Sequence, residues 1–261
     1  MNLEEKLKPL KELVGDLKIA DFFVVDTSAS GIYFLTDGRE LDLNFNQAKH
    51  NNVNSSRIKD SLKSAETFLD FLRNYDNVGA THIVLKEMET KKRNIEGFTK
   101  IYARAKRVYR SGNGFQSTSP VEKEISWLRK IIEKETEIIE LLKSRVEEPD
   151  KDLKYIENLV MRTATWSADY DPNNLNDERI VAACIYRAFV NNKHVSIITR
   201  DHRFPKIISK TQLLFYNGKG IYYKLYNFLK KGNLSVILGE KGQGFSVDYC
   251  SEEFKPENFM K

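Results

Sequence analysis

The sequence predicts an α/β fold in which a parallel sheet is flanked by helices. Two observations predict it. Short apolar runs typical of buried strands alternate with segments that carry apolar residues at helical spacing, and the order strand, helix, strand favours right-handed parallel crossovers. The clearest strand is Val195–Thr199, a short and nearly continuous apolar run of the kind found in parallel strands that are covered on both faces.

The first strand of the predicted sheet is the run Phe22-Phe23-Val24-Val25. An amphipathic helix predicted over residues 3–18 precedes this strand, and Asp26 follows it directly. Farther along, Asp37-Gly38 lies between two alternating runs, which predicts a β-hairpin. We therefore expect the first acid of the chain to lie where a buried strand ends.

The second strand is expected at His82-Ile83-Val84-Leu85, which leads into Glu87. Before this run, apolar residues at helical spacing between Ile58 and Leu72 predict a helix that ends near Asn74. Residues 77–80 are expected to turn the chain from that helix into the strand. The second acid would then lie at the junction between a strand and the next helix.

The middle of the chain predicts a helical hairpin. Apolar residues follow a heptad over residues 125–146, with one interruption at Glu135, and a second helical stripe runs over residues 153–160. Because the break at residues 147–150 is short, we expect the two helices to pack antiparallel within the chain. Closure on a second copy of the protein is the alternative, and in either case the apolar seam consists of Leu128, Ile132, Ile139 and Leu142.

The last third of the chain predicts a helix, a strand and a hairpin. The helix is expected over residues 177–189, with Asn176 as its N-cap. The strand Val195–Thr199 follows and leads into Asp201. Apolar runs over residues 234–238 and 245–249 then predict a C-terminal β-hairpin around a glycine-rich turn.

The composition indicates a water-soluble protein with one sizeable core, and we expect a cytoplasmic location. The chain has 261 residues, of which 41% are hydrophobic and 30% charged. No apolar stretch approaches the ~18 to 20 residues that cross a bilayer, and the N-terminal residues lack the apolar region of a signal peptide. Cys184 and Cys250 do not have the paired spacing of a zinc site, so we expect buried free thiols.

Four acids carry the functional prediction, because each follows an apolar run or begins a helix: Asp26, Glu87, Asp177 and Asp201. The carboxyl ends of strands in α/β sheets are where sites form, so a common edge is expected for these acids. Carboxylates that gather at one place repel one another and need a cation to hold them. The pattern therefore predicts a divalent-metal site and, with it, a nuclease that hydrolyses phosphodiester bonds.

Asp26 is the acid most expected to bind the cation directly, because an acid after four apolar residues is otherwise costly to bury. The Thr199 hydroxyl is expected to orient a ligand or a water molecule. Thr27, Ser28 and Asn176 adjoin the first and third acids and complete the supporting set. The plainer alternatives are that Asp26 caps a helix and that Asp177 only complements a helix dipole.

A basic stretch follows Glu87, and it predicts contact with a nucleic acid backbone. Its cations are interleaved with Tyr102 and Tyr109, whose rings are expected to stack on unpaired bases. The alternative is an ordinary solvated helix face. The residues expected to contact phosphate are Lys91, Lys92, Arg93, Arg104 and Arg107, together with Arg200, His202 and Arg203 around the fourth acid.

The chain resembles the PIN-domain nucleases at four points, in the order that this family has them. The matching segments are Val25-Asp26-Thr27-Ser28, Ile83 to Met88 around Glu87, Asn176 to Ala183 around Asp177, and Ile197 to Asp201. The resemblance implies a parallel sheet flanked by helices, and an acidic pocket that binds Mg²⁺ or Mn²⁺. It also implies single-stranded or structured RNA as the substrate, so the predicted activity is that of an endoribonuclease.

The resemblance implies a PIN-like nuclease domain over residues 1–210, with a helical insertion at about residues 98–170. Residues 211–261 are then a C-terminal extension whose β-hairpin packs on the same domain. The hairpin after Asp26 also fits an RNase H-like nuclease, in which the acid-bearing strand leads directly into antiparallel partners. An RNase H-like DNA nuclease is therefore the alternative fold and activity.

A non-catalytic module that binds RNA or a protein partner is the alternative of a different class. Four acids at the family's positions argue against it, because a protein that does not cut has little physical reason to keep carboxylates that repel one another. Cleavage measured with a metal ion and with a chelator would separate the two hypotheses. Whether a protein partner or self-association involves the helical hairpin is left open at this stage.

Overall fold

A computed structural model describes residues 20–30, 55–113, 119–146, 151–166, 175–216, 218–240 and 244–248. The helix predicted at residues 3–18 and the hairpin at Asp37-Gly38 lie outside these ranges. The chain divides into two compact units. The first consists of Met1–Asp26, Asn77–Val84 and Arg145–Lys261, and the second consists of Thr27–Asp76 and Leu85–Ser144.

The longer elements of the described residues are, in chain order, β1 (Phe22–Val25), α1 (Ser55–Asn74), β2 (Val78–Gly79), α2 (His82–Asn113), α3 (Ser119–Lys143), α4 (Lys151–Met161), α5 (Asn176–Asn191), β3 (Val195–Thr199), α6 (Arg203–Tyr216), α7 (Ile221–Lys230), β4 (Leu234–Glu240) and β5 (Gly244–Asp248). Short 3-10 turns lie at Thr27–Ala29 and Ala164–Trp166. All the strands belong to the first unit, whereas α1, α3 and most of α2 belong to the second.

The first unit is built on a five-stranded sheet with the order β2-β1-β3-β4-β5. Strands β2, β1, β3 and β4 are parallel, and β5 joins β4 antiparallel as the second strand of the C-terminal hairpin. With the helices that flank the sheet, this arrangement confirms the predicted α/β class. The predicted strand Val195–Thr199 is confirmed as β3, and every residue of it is buried.

Strand β1 lies inside the sheet and has a parallel neighbour on each side. Phe23 is paired with Val78 of β2, while β1 is paired with β3 along its whole length, from Phe22 with Val195 to Val25 with Ile198. The contact with β2 is close at Gly79, where a Cβ atom would lie 2.8 Å from the Cζ atom of Phe22 in β1. Both hydrogen-bonding edges of β1 are therefore occupied.

The helices of the first unit cover this sheet. Helix α4 packs against α5, α5 packs against α6 and β3, and α6 packs against α7. Helix α5 ends at Asn192, which adopts the left-handed conformation and donates its N–H to the last carbonyl groups of the helix. The carboxyl ends of β1 and β3 thus lie beside the beginnings of α5 and α6. The acids discussed below lie in this region.

The second unit is helical among the described residues. Helix α1 packs against α3, and one apolar cluster joins side chains of α1, α2 and α3. The members of the cluster are Ile58, Leu62, Ile95, Phe98, Tyr102, Leu128 and Ile131. The helix predicted between Ile58 and Asn74 is therefore confirmed, and its apolar stripe covers another helical face.

The strand predicted at His82-Ile83-Val84-Leu85 is wrong, because these residues form the first turn of α2. The strand that pairs with β1 is Val78–Gly79, which the sequence analysis assigned to a turn. Four apolar residues fit a buried helical turn as well as a strand. The deciding feature is Thr81, whose Oγ1 accepts a hydrogen bond from the Val84 N–H at 3.3 Å and so caps the helix.

The closure predicted for the helical hairpin differs from what the structure has. Both helices form, as α3 and α4, but α3 packs against α1 in the second unit and α4 packs against α5 in the first. Glu135, which was taken to interrupt the seam, is fully buried in α3. An apolar stripe shows that a helix face must be covered, and it does not specify which helix covers it.

Candidate active site

Three of the four predicted acids lie at the carboxyl ends of β1 and β3 in the first unit. Asp26 directly follows β1, and Asp201 follows β3 after one intervening residue. Asp177 is in the first turn of α5. The charges of Asp26 and Asp201 both act on the carboxyl group of Asp177, so the three aspartates form one electrostatic cluster.

Thr199, the last residue of β3, connects two of these aspartates. Its hydroxyl donates a hydrogen bond to Asp26 Oδ2 at 2.9 Å and accepts one from the Asp201 N–H at 3.0 Å. Thr199 is fully buried and Asp26 is only 6% exposed. Because the Asp26 N–H also donates to the Ile198 carbonyl oxygen at 2.9 Å, both ends of Asp26 are fixed by β3.

Asp201 is held by the beginning of α6. Its Oδ1 accepts a hydrogen bond from the Arg203 N–H at 2.8 Å, which is the geometry of a helix N-cap. This contact orients the carboxylate relative to Thr199. The Asp201 side chain therefore has a structural role as well as the predicted functional one.

Asp177 is the carboxyl group that its surroundings perturb most clearly. Burial raises the pKa of Asp177 from its ordinary value of 3.8 to about 7. Arg203 opposes this rise, and its Nη1 lies 3.1 Å from Asp177 Oδ2. The negative charges of Asp26, Asp201 and Glu178 add to the rise. Burial is therefore the main cause of the raised pKa, and the Arg203 guanidinium does not cancel it.

Glu178 is a further acid of this region, and the sequence analysis missed it. Its side chain is only 4% exposed, and its Oε2 has no hydrogen-bond partner among the described residues. Helical spacing contains the signal that could have found it. Val181 and Ile185 lie three and seven residues after Glu178, and both are buried, so Glu178 is on the buried face of α5.

Glu87 lies in the second unit, in the second turn of α2. Its Oε2 accepts a hydrogen bond from Thr27 Oγ1 at 2.9 Å, and its Oε1 lies 3.2 Å from Lys91 Nζ. Thr27 and Ser28 are buried in the 3-10 turn that follows Asp26 in the chain. That Glu87 joins the three aspartates stays a prediction from the sequence.

The role expected for Asn176 as an N-cap is wrong. Asn176 is the first residue of α5, and the capping position belongs to Leu175, which makes no side-chain capping bond. Asn176 was expected at the N-cap because asparagine and aspartate are among the most frequent residues at that position. The acids that follow in the first turn, Asp177 and Glu178, complement the helix dipole instead.

The basic stretch of α2 has protein partners for three of its predicted phosphate contacts. Lys91 pairs with Glu87, and Lys92 pairs with Glu96 at 3.5 Å and donates to Thr136 Oγ1 at 3.1 Å. Arg93 donates to the Glu89 carbonyl oxygen and to Thr90 Oγ1. These contacts fit the alternative of a helix face whose charges are balanced by its own glutamates.

The role expected for Tyr102 is also wrong, because its ring cannot stack on a base. Tyr102 is 1% exposed, it belongs to the apolar cluster of the second unit, and its hydroxyl donates a 2.5 Å hydrogen bond to Glu124 Oε2. Arg104 is exposed, whereas the side chains of Arg107 and Tyr109 lie outside what the structure describes. The periodicity of α2 places Tyr102 with Ile95 and Phe98 on the face that α3 covers.

The basic residues around the fourth acid are arranged differently. Arg203 pairs with Asp177, His202 is exposed, and Arg200 is half-buried. Arg203 therefore has a direct link to the aspartate cluster. Its guanidinium has five donors, and a single aspartate oxygen does not occupy them all.

The described residues contain no ready-made metal cage. No three histidine, cysteine, aspartate or glutamate side chains in these ranges are placed so that one ion could contact them all. The donors at the carboxyl edge of the sheet are nevertheless all oxygen atoms, which is the chemistry that Mg²⁺ and Mn²⁺ prefer. The unpartnered Glu178 Oε2 is a buried oxygen that a cation or its bound water would satisfy.

Comparison with known proteins does not assign the chain to a family. No protein-family model, curated protein or solved structure matches it significantly. The similarity to PIN-domain nucleases therefore rests on the four sequence segments alone. None of the helices in the described ranges is both long and apolar enough to cross a membrane.

Proposed function

We propose that this protein is a metal-dependent nuclease with a PIN-like fold, and that its substrate is RNA. The observation that carries the proposal is the cluster of Asp26, Asp177 and Asp201 around the buried Thr199 at the carboxyl edge of a parallel sheet. This edge is where α/β folds bind ligands. The pKa of Asp177 stays raised although Arg203 lies beside it, so a bound cation would stabilise the charged form of this carboxyl group.

Asp26, Asp177 and Asp201 are the residues that would hold Mg²⁺ or Mn²⁺, in part through water molecules bound to the ion, because no single ion position among the described residues contacts all three carboxyl groups. When bound, such an ion supplies a nucleophilic water at neutral pH and stabilises the leaving oxygen of a phosphodiester. Thr199 fixes the orientation of Asp26, and the Arg203 N–H fixes that of Asp201. Arg203 contacts Asp177 Oδ2 through Nη1, and the other donors of its guanidinium would be available for a substrate phosphate.

The sheet favours the PIN-like fold over the RNase H-like alternative. In the RNase H-like arrangement, the acid-bearing strand pairs with an antiparallel partner that follows it in the chain. Strand β1 has parallel partners on both edges, β2 on one side and β3 on the other. Among the described residues, both neighbours of β1 are therefore parallel strands, and this supports the PIN-like interpretation.

A cleavage assay tests the proposal. Purified protein is incubated with labelled single-stranded RNA and with DNA of the same sequence, in Mg²⁺, in Mn²⁺ and in EDTA. We expect RNA cleavage that depends on the metal ion and that Asp26→Asn abolishes. The matched control is Asp70→Asn, because the Asp70 side chain is 75% exposed on α1.

Each outcome of this assay has a definite meaning. Cleavage that continues in EDTA contradicts the metal-dependent mechanism. RNA binding without cleavage in any of the three conditions supports the non-catalytic RNA-binding module instead. Adding Glu87→Gln to the same series tests whether Glu87 belongs to the catalytic set, since loss of cleavage with unchanged folding is the result that its predicted role requires.

A further inference from the structure

The region after Asp201 has a charge composition unlike the rest of the chain. Residues 202–239 contain seven lysines and arginines and no aspartate or glutamate, although the whole chain carries 37 acids. Apart from Arg203, the cations are all lysines: Lys206, Lys210, Lys219, Lys224, Lys230 and Lys231. Their position in α6, in α7 and next to these helices concentrates positive charge on one part of the first unit.

These lysines are available to an external anion. Five of them are exposed and Lys210 is half-buried. Among the described residues, none of the six lies within ion-pair distance of a carboxylate oxygen, which distinguishes them from the paired lysines of α2. When lysine side chains without internal partners contact a phosphate backbone, the cations condensed on the nucleic acid are released, and this release drives binding.

A row of tyrosines lies among these lysines. Tyr216 is 40% exposed at the end of α6, and Tyr223 is 58% exposed on α7. The Tyr216 ring packs edge-on against the Tyr226 ring, with 5.3 Å between the ring centroids. Tyr226 lies three residues after Tyr223 on the same helix, so these two side chains are neighbours on its surface. The three tyrosines therefore form a continuous aromatic row across α6 and α7.

We propose that this surface of α6 and α7, which we call the tyrosine–lysine surface, binds single-stranded nucleic acid. The exposed rings of Tyr216 and Tyr223 stack on unpaired bases, while the lysines around them contact the phosphates. The combination of a positively charged surface with stacking platforms is what single strands require, since their bases are free to leave the strand axis. A paired duplex hides its base faces and gains only the charge contacts.

The tyrosine–lysine surface deepens the proposed nuclease function, because α6 connects it to the aspartate cluster. Asp201 caps the first turn of α6, and Tyr216 is the last of the 14 residues of this helix. A helix of this length spans about 20 Å, which corresponds to about six stacked nucleotides. A single strand held by Tyr216 thus reaches the carboxyl edge of the sheet within the same unit.

Binding is measured by fluorescence anisotropy in EDTA, with a labelled single-stranded RNA of about 12 nucleotides, so that no cleavage is needed. We expect Tyr223→Ala to weaken binding at least about 5-fold, because a stacking contact is lost, and Tyr223→Phe to retain it. The matched control is Tyr155→Ala, since Tyr155 is also an exposed tyrosine of the first unit but lies on α4. The RNA affinity of Tyr155→Ala should equal that of the unchanged protein.

The lysines are tested by the salt dependence of the same binding. Replacing Lys219 and Lys224 together by Ala should lower the slope of log affinity against log salt by about 1.4, or about 0.7 for each lost phosphate contact. Replacing Lys92 and Arg93 of α2 by Ala should leave the slope unchanged, because these cations already have protein partners.

The result that overturns the inference is an affinity of Tyr223→Ala equal to that of the unchanged protein. Equal affinity for a duplex, or stronger binding to vesicles of anionic lipid than to RNA, also overturns it. Because the measurement is made in EDTA, its outcome is independent of cleavage. If Tyr223→Ala weakens RNA binding but the protein never cleaves RNA, the tyrosine–lysine surface is supported and the nuclease function is contradicted. If the protein cleaves RNA and Tyr223→Ala leaves binding unchanged, only the tyrosine–lysine surface is contradicted.

Discussion

The two units of this protein differ in how their carboxylates are arranged relative to their cations. In the second unit, several surface cations pair with carboxylates close by, as Lys92 does with Glu96, Lys143 with Glu89 and Arg73 with Glu137. Other exposed cations of this unit, such as Lys59 and Lys130, have no carboxylate partner among the described residues. In the first unit, several carboxylates share one partly buried place, and the lysines of the tyrosine–lysine surface have no carboxylate partner among the described residues. The first unit thus combines a cluster of carboxylates with a run of lysines that no acid interrupts, and this combination supports the proposed contacts with charged ligands.

This difference also separates two basic stretches that look alike in the sequence. In the stretch after Glu87, tyrosines are interspersed among lysines, and the same is true of the stretch after Asp201. The first contains glutamates one helical turn from its lysines, whereas the second contains no acid over 38 residues. The two stretches therefore differ in the carboxylates near their lysines rather than in the number of lysines. This difference is the reason for proposing the second stretch, and not the first, as a binding surface.

The largest effect is expected at Asp177, whose pKa burial raises to about 7. Asp177→Asn should lower RNA cleavage at least about 100-fold, because it removes an oxygen donor of the proposed ion site. The same change should raise the free energy of unfolding by about 1 to 2 kcal/mol at pH 8, since a partly buried charge is removed. Cleavage rates and urea unfolding measure the two effects, and a loss of both activity and stability would contradict the account.

The next effect is expected at Thr199, which acts only through the aspartates that it connects. Thr199→Val has nearly the same shape but cannot donate to Asp26, so we expect cleavage to fall about 10- to 100-fold. Thr199→Ser keeps the hydroxyl and should restore most of the activity. If Val and Ser behave alike, the hydrogen bond to Asp26 does not position the site.

A pH-dependent effect on stability follows from the same cluster. The pKa of Asp177 is about 7 in the folded protein and near 3.8 in the unfolded chain, so the folded state binds the proton more tightly. The stability associated with this group is present below pH 4 and is lost as the pH rises through about 7. We expect the difference in unfolding free energy between Asp177→Asn and the unchanged protein to grow over this range, and a constant difference would show that Asp177 is not perturbed.

The smallest effect tests the second unit, where Tyr102 was expected to bind bases. Tyr102→Phe removes the hydrogen bond to the buried Glu124 and should lower the free energy of unfolding by about 1 to 2 kcal/mol. RNA affinity should not change, because the ring is buried. A variant with unchanged stability and weaker RNA binding would return Tyr102 to the role that the sequence first indicated.

Much of the fold of the first unit follows from local patterns. The buried run Val195–Thr199 could be read as a parallel strand because its five residues are all apolar or small. His82-Ile83-Val84-Leu85 could not be distinguished from a strand, since the decisive contacts are the Thr81 cap and the pairing of the two-residue strand Val78–Gly79. Such a short strand forms only because its backbone pairs with that of β1.

The acids of the site could be found from the sequence, but their surroundings could not. Asp26 and Asp201 follow strands, and that position is visible in a one-dimensional pattern. The pairing of Asp177 with Arg203 joins residues that are 26 positions apart, and the burial of Glu178 depends on which face of α5 is covered. Both depend on tertiary packing, which periodicity limits without specifying.

The most direct test of the central claim is Mn²⁺ binding, measured by electron paramagnetic resonance of the free ion at pH 8. If the uncompensated carboxylates of the first unit hold a cation, Mn²⁺ should bind to the unchanged protein and to Asp70→Asn with the same affinity. Asp26→Asn should weaken binding at least about 10-fold, because Asp26 is the carboxylate that β3 fixes in place. Equal Mn²⁺ affinity in Asp26→Asn and the unchanged protein, or no Mn²⁺ binding to either, would contradict the claim.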